Sequence, residues 1–443
     1  METPKYNSNF IFLEVETGLV SFFRMPSESE PQRKKAKRTD SEKEERKKLK
    51  AETNQKFLDT NEIRITSLDN KPYHIDPIFK FKSGKFPEAL LKALSAFEKP
   101  TPIQSVAWPP ILAGNDLVGI SATGSGKTLS FGLPAMISLN ASPKNLKPHI
   151  LVLSPTRELA MQTQEQFERF GKVCGMKSVC IYGGVSKRDQ KDALRRGMNT
   201  IVATPGRLID LFEEDSKICD LSQVKYLVLD EADRMLDQGF EEAIKTIIGR
   251  LPTCAEGRQT VMFSATWPTS IQKMAMTYLK SPIKITVGST DLSANTSIEQ
   301  RVEVLDPFAK EARLIELLKD YHKSKKNRIL IFALYKKEAA RLEAMIKRQG
   351  YKAAALHGDL SQEQRSAAIE GFKNGSIPLL IATDVAARGI DIPMVEYVIN
   401  VTFPLTVEDY CHRIGRTGRA GTTGISHTLF TVHDKAHSGT KSD

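Results

Sequence analysis

The stretch LVGISATGSGKT, Leu117 to Thr128, decides the fold of this chain. A short apolar run is followed at once by small residues and two glycines, then by Lys127 and Thr128 at the head of a helix-forming segment. The order is strand, loop, helix, and phosphate chemistry demands that order. Gly124 and Gly126, with Thr123 and Ser125 between and beside them, let the backbone wrap a phosphate with N–H groups, and the helix N-terminus adds its dipole. Lys127 is then within reach of β- and γ-phosphates, and the Thr128 hydroxyl is placed to ligate Mg²⁺. Ser121 stands where the literal pattern has glycine, and a residue that small fits the same turn.

The same texture extends on both sides. Apolar, β-branched runs alternate with helical stretches at Leu117–Ile120, Ile150–Leu153, Ser178–Ile181, 200–202, Tyr226–Leu229, 260–263 and Ile283–Val287. Runs of this kind bounded by helices predict parallel strands buried on both faces. The pattern breaks in a polar, turn-rich segment and restarts at 329–332, Ala353–Leu356, 379–381, 397–399 and 426–430. The reading is two tandem open α/β domains, 78–288 and 300–443, joined by a linker at 289–299 and preceded by a largely disordered extension at 1–77.

Leu227-Val228-Leu229-Asp230-Glu231-Ala232-Asp233 supplies the partner of the phosphate loop. An apolar strand delivers adjacent acids at its C-terminal end, where open α/β sheets bind ligands. Asp230 is positioned to hold Mg²⁺, directly or through water, and Glu231 to orient and deprotonate an attacking water. About a hundred residues after a phosphate loop, this pair points to nucleoside triphosphate hydrolysis.

The composition agrees with a polyanionic partner. Of 443 residues, 64 are Lys or Arg and 53 Asp or Glu, a formal charge of +11. Ten basic and four acidic residues between Pro31 and Lys50 concentrate much of that excess in a segment without an apolar face, either a solvated tail or a nuclear-import and RNA-contacting one. The five scattered cysteines show no paired spacing, which argues against a disulfide framework or zinc site. No apolar run is long enough for a membrane span. Residues 9–23 are apolar but interrupted by Glu14 and Glu16, a poor secretory signal; with Met25 as a second candidate start, a leader foreign to the rest is expected.

From about Phe81 to His433 the chain resembles the DEAD-box ATP-dependent RNA helicases, on ordered motifs rather than one. Phe97 to Gln104 (FEKPTPIQ) resembles the adenine-reading motif, in which the Gln104 amide pairs with the base edge. Phe81 matches the upstream aromatic that stacks on the base, with Phe79 as a second candidate. Pro155-Thr156-Arg157, Gly184, and Thr204 with Arg207 resemble the first-domain RNA contacts; Gln362, Arg365, Thr383 and Arg388 resemble those of the second domain. The resemblance sets Gly389 and Asp391 at the nucleotide ribose. It makes Arg416 and Arg419, in HRIGRTGR, the fingers that reach the γ-phosphate, where lysine is a poor substitute for a planar fork. Asp233, Ser264, Thr266 and His412 match residues coupling hydrolysis to domain movement.

What the resemblance implies is a pair of RecA-like domains that close on ATP, Mg²⁺ and RNA, with each half-site incomplete alone. Local strand separation of short, sequence-tolerant RNA duplexes follows, by a monomer. The basic tail and the SGKFPEALLKAL stretch resemble nucleolar members acting on pre-ribosomal particles, which implies the nucleus and nucleolus; a messenger-RNP remodeller and an RNA clamp with little turnover are the alternatives. A generic P-loop enzyme would not account for Gln104, and a DEAH helicase would have His in place of Asp233. Family members continue past the last strand into a further helix, so a less stable second domain is expected here.

Overall fold

The computed structural model describes residues 40–139, 146–215, 217–288, 297–387, 392, 394–418 and 422–435. Among the described residues, fourteen strands run in chain order: β1 (Ile63–Ser67), β2 (Leu117–Ile120), β3 (Ile150–Leu153), β4 (Ser178–Ile181), β5 (Thr200–Ala203), β6 (Tyr226–Leu229), β7 (Gln259–Ser264) and β8 (Ile283–Val287), then β9 (Ile298–Val304), β10 (Ile329–Ala333), β11 (Ala353–Leu356), β12 (Leu379–Thr383), β13 (Tyr397–Asn400) and β14 (Gly424–Phe430). The first eight form one sheet in the order β1-β8-β2-β7-β6-β3-β5-β4, and the last six another in the order β11-β12-β10-β13-β14-β9. Every pairing is parallel except β1 with β8. Parallel strands require crossovers, and the intervening helices supply them on both faces.

Strands β2, β3, β5 and β6 are buried at every position, as their uninterrupted apolar runs require. Two apolar layers flank the first sheet: one holds Trp108, Phe131, Phe167 and Phe263, the other Leu208, Leu211, Ile244 and Ile271. Burying such a side chain contributes about 1.5–3 kcal/mol, so each layer outweighs any single polar contact. Two smaller layers flank the second sheet, around Leu317, Ile331 and Leu342 on one face and around Phe332, Phe372 and Leu380 on the other.

Two regions depart from the expected organisation. The segment read as a largely disordered extension contains the strand β1 and the helix Asp40–Thr60, the latter beginning in the basic stretch for which a solvated helix is the alternative to disorder. Ile63 and Ile65 point into the first core, and Phe57 meets Phe79 edge-on at 5.0 Å. The partner strand β8 lies more than two hundred residues away in sequence, and no local pattern announces so distant a pairing. Similarly, β9 begins inside the expected linker; its run of Glu299, Gln300, Arg301 and Glu303 reads as a loop because an edge strand buries little. Residues 289–296 of that linker lie outside the described residues, as do 1–39 and 436–443.

Candidate active site

The phosphate loop joins β2 to the helix Lys127–Leu139 and is held by its own polar groups. Lys127 is buried and its Nζ donates to the Ser121 carbonyl at 2.9 Å, while the Ser121 and Ser125 hydroxyls meet at 2.9 Å. Gly126 has φ +96°, and a Cβ there would come within 2.6 Å of Gln104 Nε2. That close approach is used. Gln104 Nε2 donates to the Gly126 carbonyl at 3.1 Å, and its Oε1 accepts from the Thr101 N–H at 3.0 Å. The Gln104 amide is thus clamped to the phosphate loop, with one N–H and one lone pair to spare.

Of the two upstream aromatics, Phe81 is half-buried and Phe79 exposed. Phe81 lies against Trp108, ring centres 5.9 Å apart, and Phe79 against Phe57. Among the described residues, the aromatic that lines the same cleft as Thr123, Lys127 and Thr128 is Phe97, with Arg169 stacked over its ring at 5.8 Å. Phe97 opens the FEKPTPIQ stretch that carries Gln104.

At the end of β6 the acids fall into place through one unusual residue. Glu231 has φ +49°, a left-handed conformation rare outside glycine, as it leads into the helix Ala232–Asp237. The turn leaves Asp230, Glu231 and Asp233 all buried. Burial, with Glu231 beside it, pushes the Asp230 carboxyl up to about 7, opposed by Lys127. Asp233 faces away from the phosphate loop: its Oδ2 accepts from the Ala265 and Thr266 N–H groups at 3.2 and 3.1 Å and from the Thr266 hydroxyl at 3.1 Å. The Ser264 hydroxyl, expected to share this contact, is buried without a hydrogen-bond partner.

The second domain closes the cleft. Arg416 is buried and lines the cleft of about 400 Å³ together with Thr128, Asp230 and Glu231. Beneath it, Arg413 is fixed by Asp384 at 2.6 Å through two nitrogens, by the Thr402 carbonyl at 2.6 Å, and by the Phe332 face at 5.0 Å. His412 and Asp409 border the same small cavity as Arg416. The expected residues Arg388, Gly389, Asp391 and Arg419 lie outside the described residues.

The expected RNA contacts separate into two groups. In the first domain, Pro155, Thr156, Arg157, Gly184, Thr204 and Arg207 sit at strand ends on one side. Gly184 has φ +86°, and a Cβ on it would collide with Arg157. Arg157 is held below the usual guanidinium range by burial and by Arg365 and Arg207 nearby, a cluster of like charge suited to a polyanion. Thr383 is buried at the end of β12. Gln362 and Arg365 also reach the first domain. Both are buried and meet Glu158 of the first domain, Gln362 Nε2 at 3.3 Å and Arg365 Nη2 at 2.8 Å from its Oε1. They bridge the two domains beside the cluster of Arg157 and Arg207. Glu158 itself carries no sequence signal beyond its place in the PTRELA string.

Comparison with known proteins agrees with this geometry. Residues 101–274 match the DEAD/DEAH box helicase model, and residues 309–421 match the helicase conserved C-terminal domain. A Saccharomyces cerevisiae protein named ATP-dependent RNA helicase DBP3 is 53% identical over 386 residues, covering 86% of this chain and 72% of its own length. This chain belongs to the DEAD-box helicase family. Members of the family are RNA-stimulated ATPases. The Kluyveromyces lactis protein of the same name is 54% identical over 387 residues, covering 86% of this chain and 75% of that one. Among solved structures, S. cerevisiae Dbp5 bound to RNA and ADP BeF3 matches with TM-score 0.71 and 32% identity over 80% of this chain and 90% of that one. Mss116p bound to ssRNA and AMP-PNP matches with TM-score 0.74 and 28% identity over 83% of this chain and 75% of that one. Both sheets of this DEAD-box chain are RecA-like domains.

Proposed function

We propose that this helicase couples ATP hydrolysis to local opening of short RNA duplexes, as a monomer, on pre-ribosomal particles in the nucleolus. One observation carries the catalytic part: Lys127, Thr128, Asp230 and Glu231 of the first domain line the same cleft as Arg416 of the second. Lys127 binds the β- and γ-phosphates, and Gln104 reads adenine while holding the loop. Glu231 orients and deprotonates the attacking water. Arg416, with Arg419, offsets charge on the transferring phosphoryl group.

A Mg²⁺ ion fits the acids. Asp230 is buried with Glu231 and Asp233 nearby, and a cation offsets the loss of hydration and the repulsion that together raise it. Among the described residues no group of three or more metal-ligating side chains forms a dedicated cage. The ion would therefore be held by Asp230 and Thr128 with phosphate oxygens, the usual Mg²⁺ arrangement, and would supply charge stabilisation at the phosphates.

RNA enters on the side of Arg157 and Arg207, where backbone N–H groups and guanidinium forks suit phosphate oxygens and read no sequence. Binding is salt-sensitive for that reason. Hydrolysis then depends on RNA because RNA favours the docked arrangement that brings Arg416 in. The basic segment at 31–50 and the stretch before Gln104 support the nucleolar reading.

The test is ATP turnover with and without single-stranded RNA, beside Glu231→Gln and Arg416→Ala. Strong RNA stimulation lost in both variants is expected; RNA-independent turnover in the unaltered protein overturns the composite site. A crosslinking map in cells tests the target, and an absence of pre-ribosomal RNA among the crosslinks overturns that assignment.

A further inference from the structure

We propose that Arg234, the residue directly after the acidic cluster, is a positioning residue that latches the closed cleft through its ion pair with Asp409. The proposal rests on the function above and adds the device by which docking is sensed at the acids.

Arg234 lies on the helix Ala232–Asp237 and its side chain is only 4% exposed. Its Nη1 donates to Asp237 Oδ2 and to Asp409 Oδ1, both at 2.9 Å. Asp237 belongs to the same short helix and is half exposed; Asp409 belongs to the second domain, in the helix Val407–Ile414, and is 12% exposed. The other terminal nitrogen, Nη2, is buried without a hydrogen-bond partner. Within its own domain the Arg234 side chain hydrogen-bonds the half-exposed Asp237, while the buried Asp233 and Glu231 attract it by charge; Asp409 is the buried acid it bonds directly. When the domains part, Asp409 leaves with the second one.

A buried guanidinium is tolerable only when paired, because its hydration is lost on burial. The pair thus exists in the docked arrangement alone and weights the equilibrium toward it. Its placement gives that weight a direction. The Arg234 backbone N–H donates to Asp233 Oδ1 at 3.0 Å, and the other oxygen of Asp233 holds Ala265 and Thr266. Asp409 in turn starts the helical turn that carries His412 and leads to Arg416. One residue thus ties the acid at the end of β6, by its main chain, to the helix that delivers the finger, by its side chain.

The experiment uses the full chain with Arg234→Gln, Asp409→Asn and the double variant. ATP hydrolysis is titrated with an oligouridine RNA, and binding of a fluorescent ATP analogue is measured without RNA. Each single change should raise the RNA concentration for half-maximal stimulation about tenfold, the double variant should match the singles, and analogue binding should stay within about twofold. The analogue also reports that the first domain is folded, and Asp409→Asn tests the pair from the other domain. Unshifted RNA dependence, or singles whose effects multiply in the double variant, overturns the latch. Loss of analogue binding in Arg234→Gln, matched to its RNA defect, assigns Arg234 to the shape of the first domain and also overturns it. An unaltered protein that RNA does not stimulate overturns the function itself, and the latch with it.

Discussion

The two domains hold their buried polar and charged residues by different means. In the first, the main chain does the holding. Lys127 is fixed by the Ser121 carbonyl, Gln104 by the Thr101 N–H and the Gly126 carbonyl, and Asp233 by three N–H groups and a hydroxyl. In the second, side chains hold side chains: Arg413 is clamped by Asp384, and Asn400 by Thr428. The first arrangement is set by local turns and keeps its shape alone. The second depends on buried charge pairs, which lose more when one partner is removed than they contribute when both are present. The first domain is accordingly a preformed nucleotide site. The second contributes to chemistry only when docked.

This contrast can be broken by experiment. The largest expected effect is at the finger: Arg416→Ala should lower RNA-stimulated turnover by about 10³-fold while leaving ATP-analogue binding without RNA intact. Lys127→Ala should instead lose that binding outright. Equal loss of binding in both would erase the distinction between the domains. Next, Asp384→Ala strands the Arg413 guanidinium and should destabilise the second domain by about 3–5 kcal/mol, seen as a lowered melting step that leaves the first domain's step in place. If both steps fall together, the domains are one cooperative unit and the comparison fails.

A smaller change is expected at the RNA side of the cleft. Glu158→Gln removes the charge that Arg365 and Gln362 share across the domains, and should raise the RNA requirement about tenfold without lowering turnover at saturation more than about twofold. The smallest effect sharpens the electrostatics. Asp230 ionises only near pH 7 in the fold against an ordinary value of 3.8, so its ionisation lowers stability as pH rises through that window. Asp230→Asn should therefore raise the nucleotide-free melting temperature by a few °C at pH 8, with the gain fading toward pH 4. A constant gain at every pH would place its origin elsewhere.

The same contrast explains what could be read in advance. Strands such as Leu151–Leu153 and Leu227–Leu229 announce themselves because a strand buried on both faces must be apolar throughout. The phosphate loop and the acid cluster are legible because their chemistry is carried by neighbours in sequence. The pairs Glu158 with Arg365 and Arg234 with Asp409 join residues about two hundred positions apart, and single-chain patterns say nothing of such meetings. Gln362 and Arg365 resemble RNA contacts in sequence, and that resemblance says nothing of their meeting with Glu158. The strands β1 and β9 escaped notice because both lie at sheet edges, where exposed positions interrupt the apolar run.

The antiparallel strand β1 also has a practical consequence. It covers the outer edge of β8, where Ile283 and Ile285 continue the first core, and the Gly288 N–H reaches back to the Glu62 carbonyl at 3.3 Å. A recombinant fragment trimmed to begin at residue 78 would leave that edge bare, a row of open N–H and C=O groups beside apolar side chains. Such an edge recruits strands from other molecules. Fragments meant for crystallisation or for isolating the nucleotide site should therefore start before residue 54, since trimming the apparent tail invites self-association.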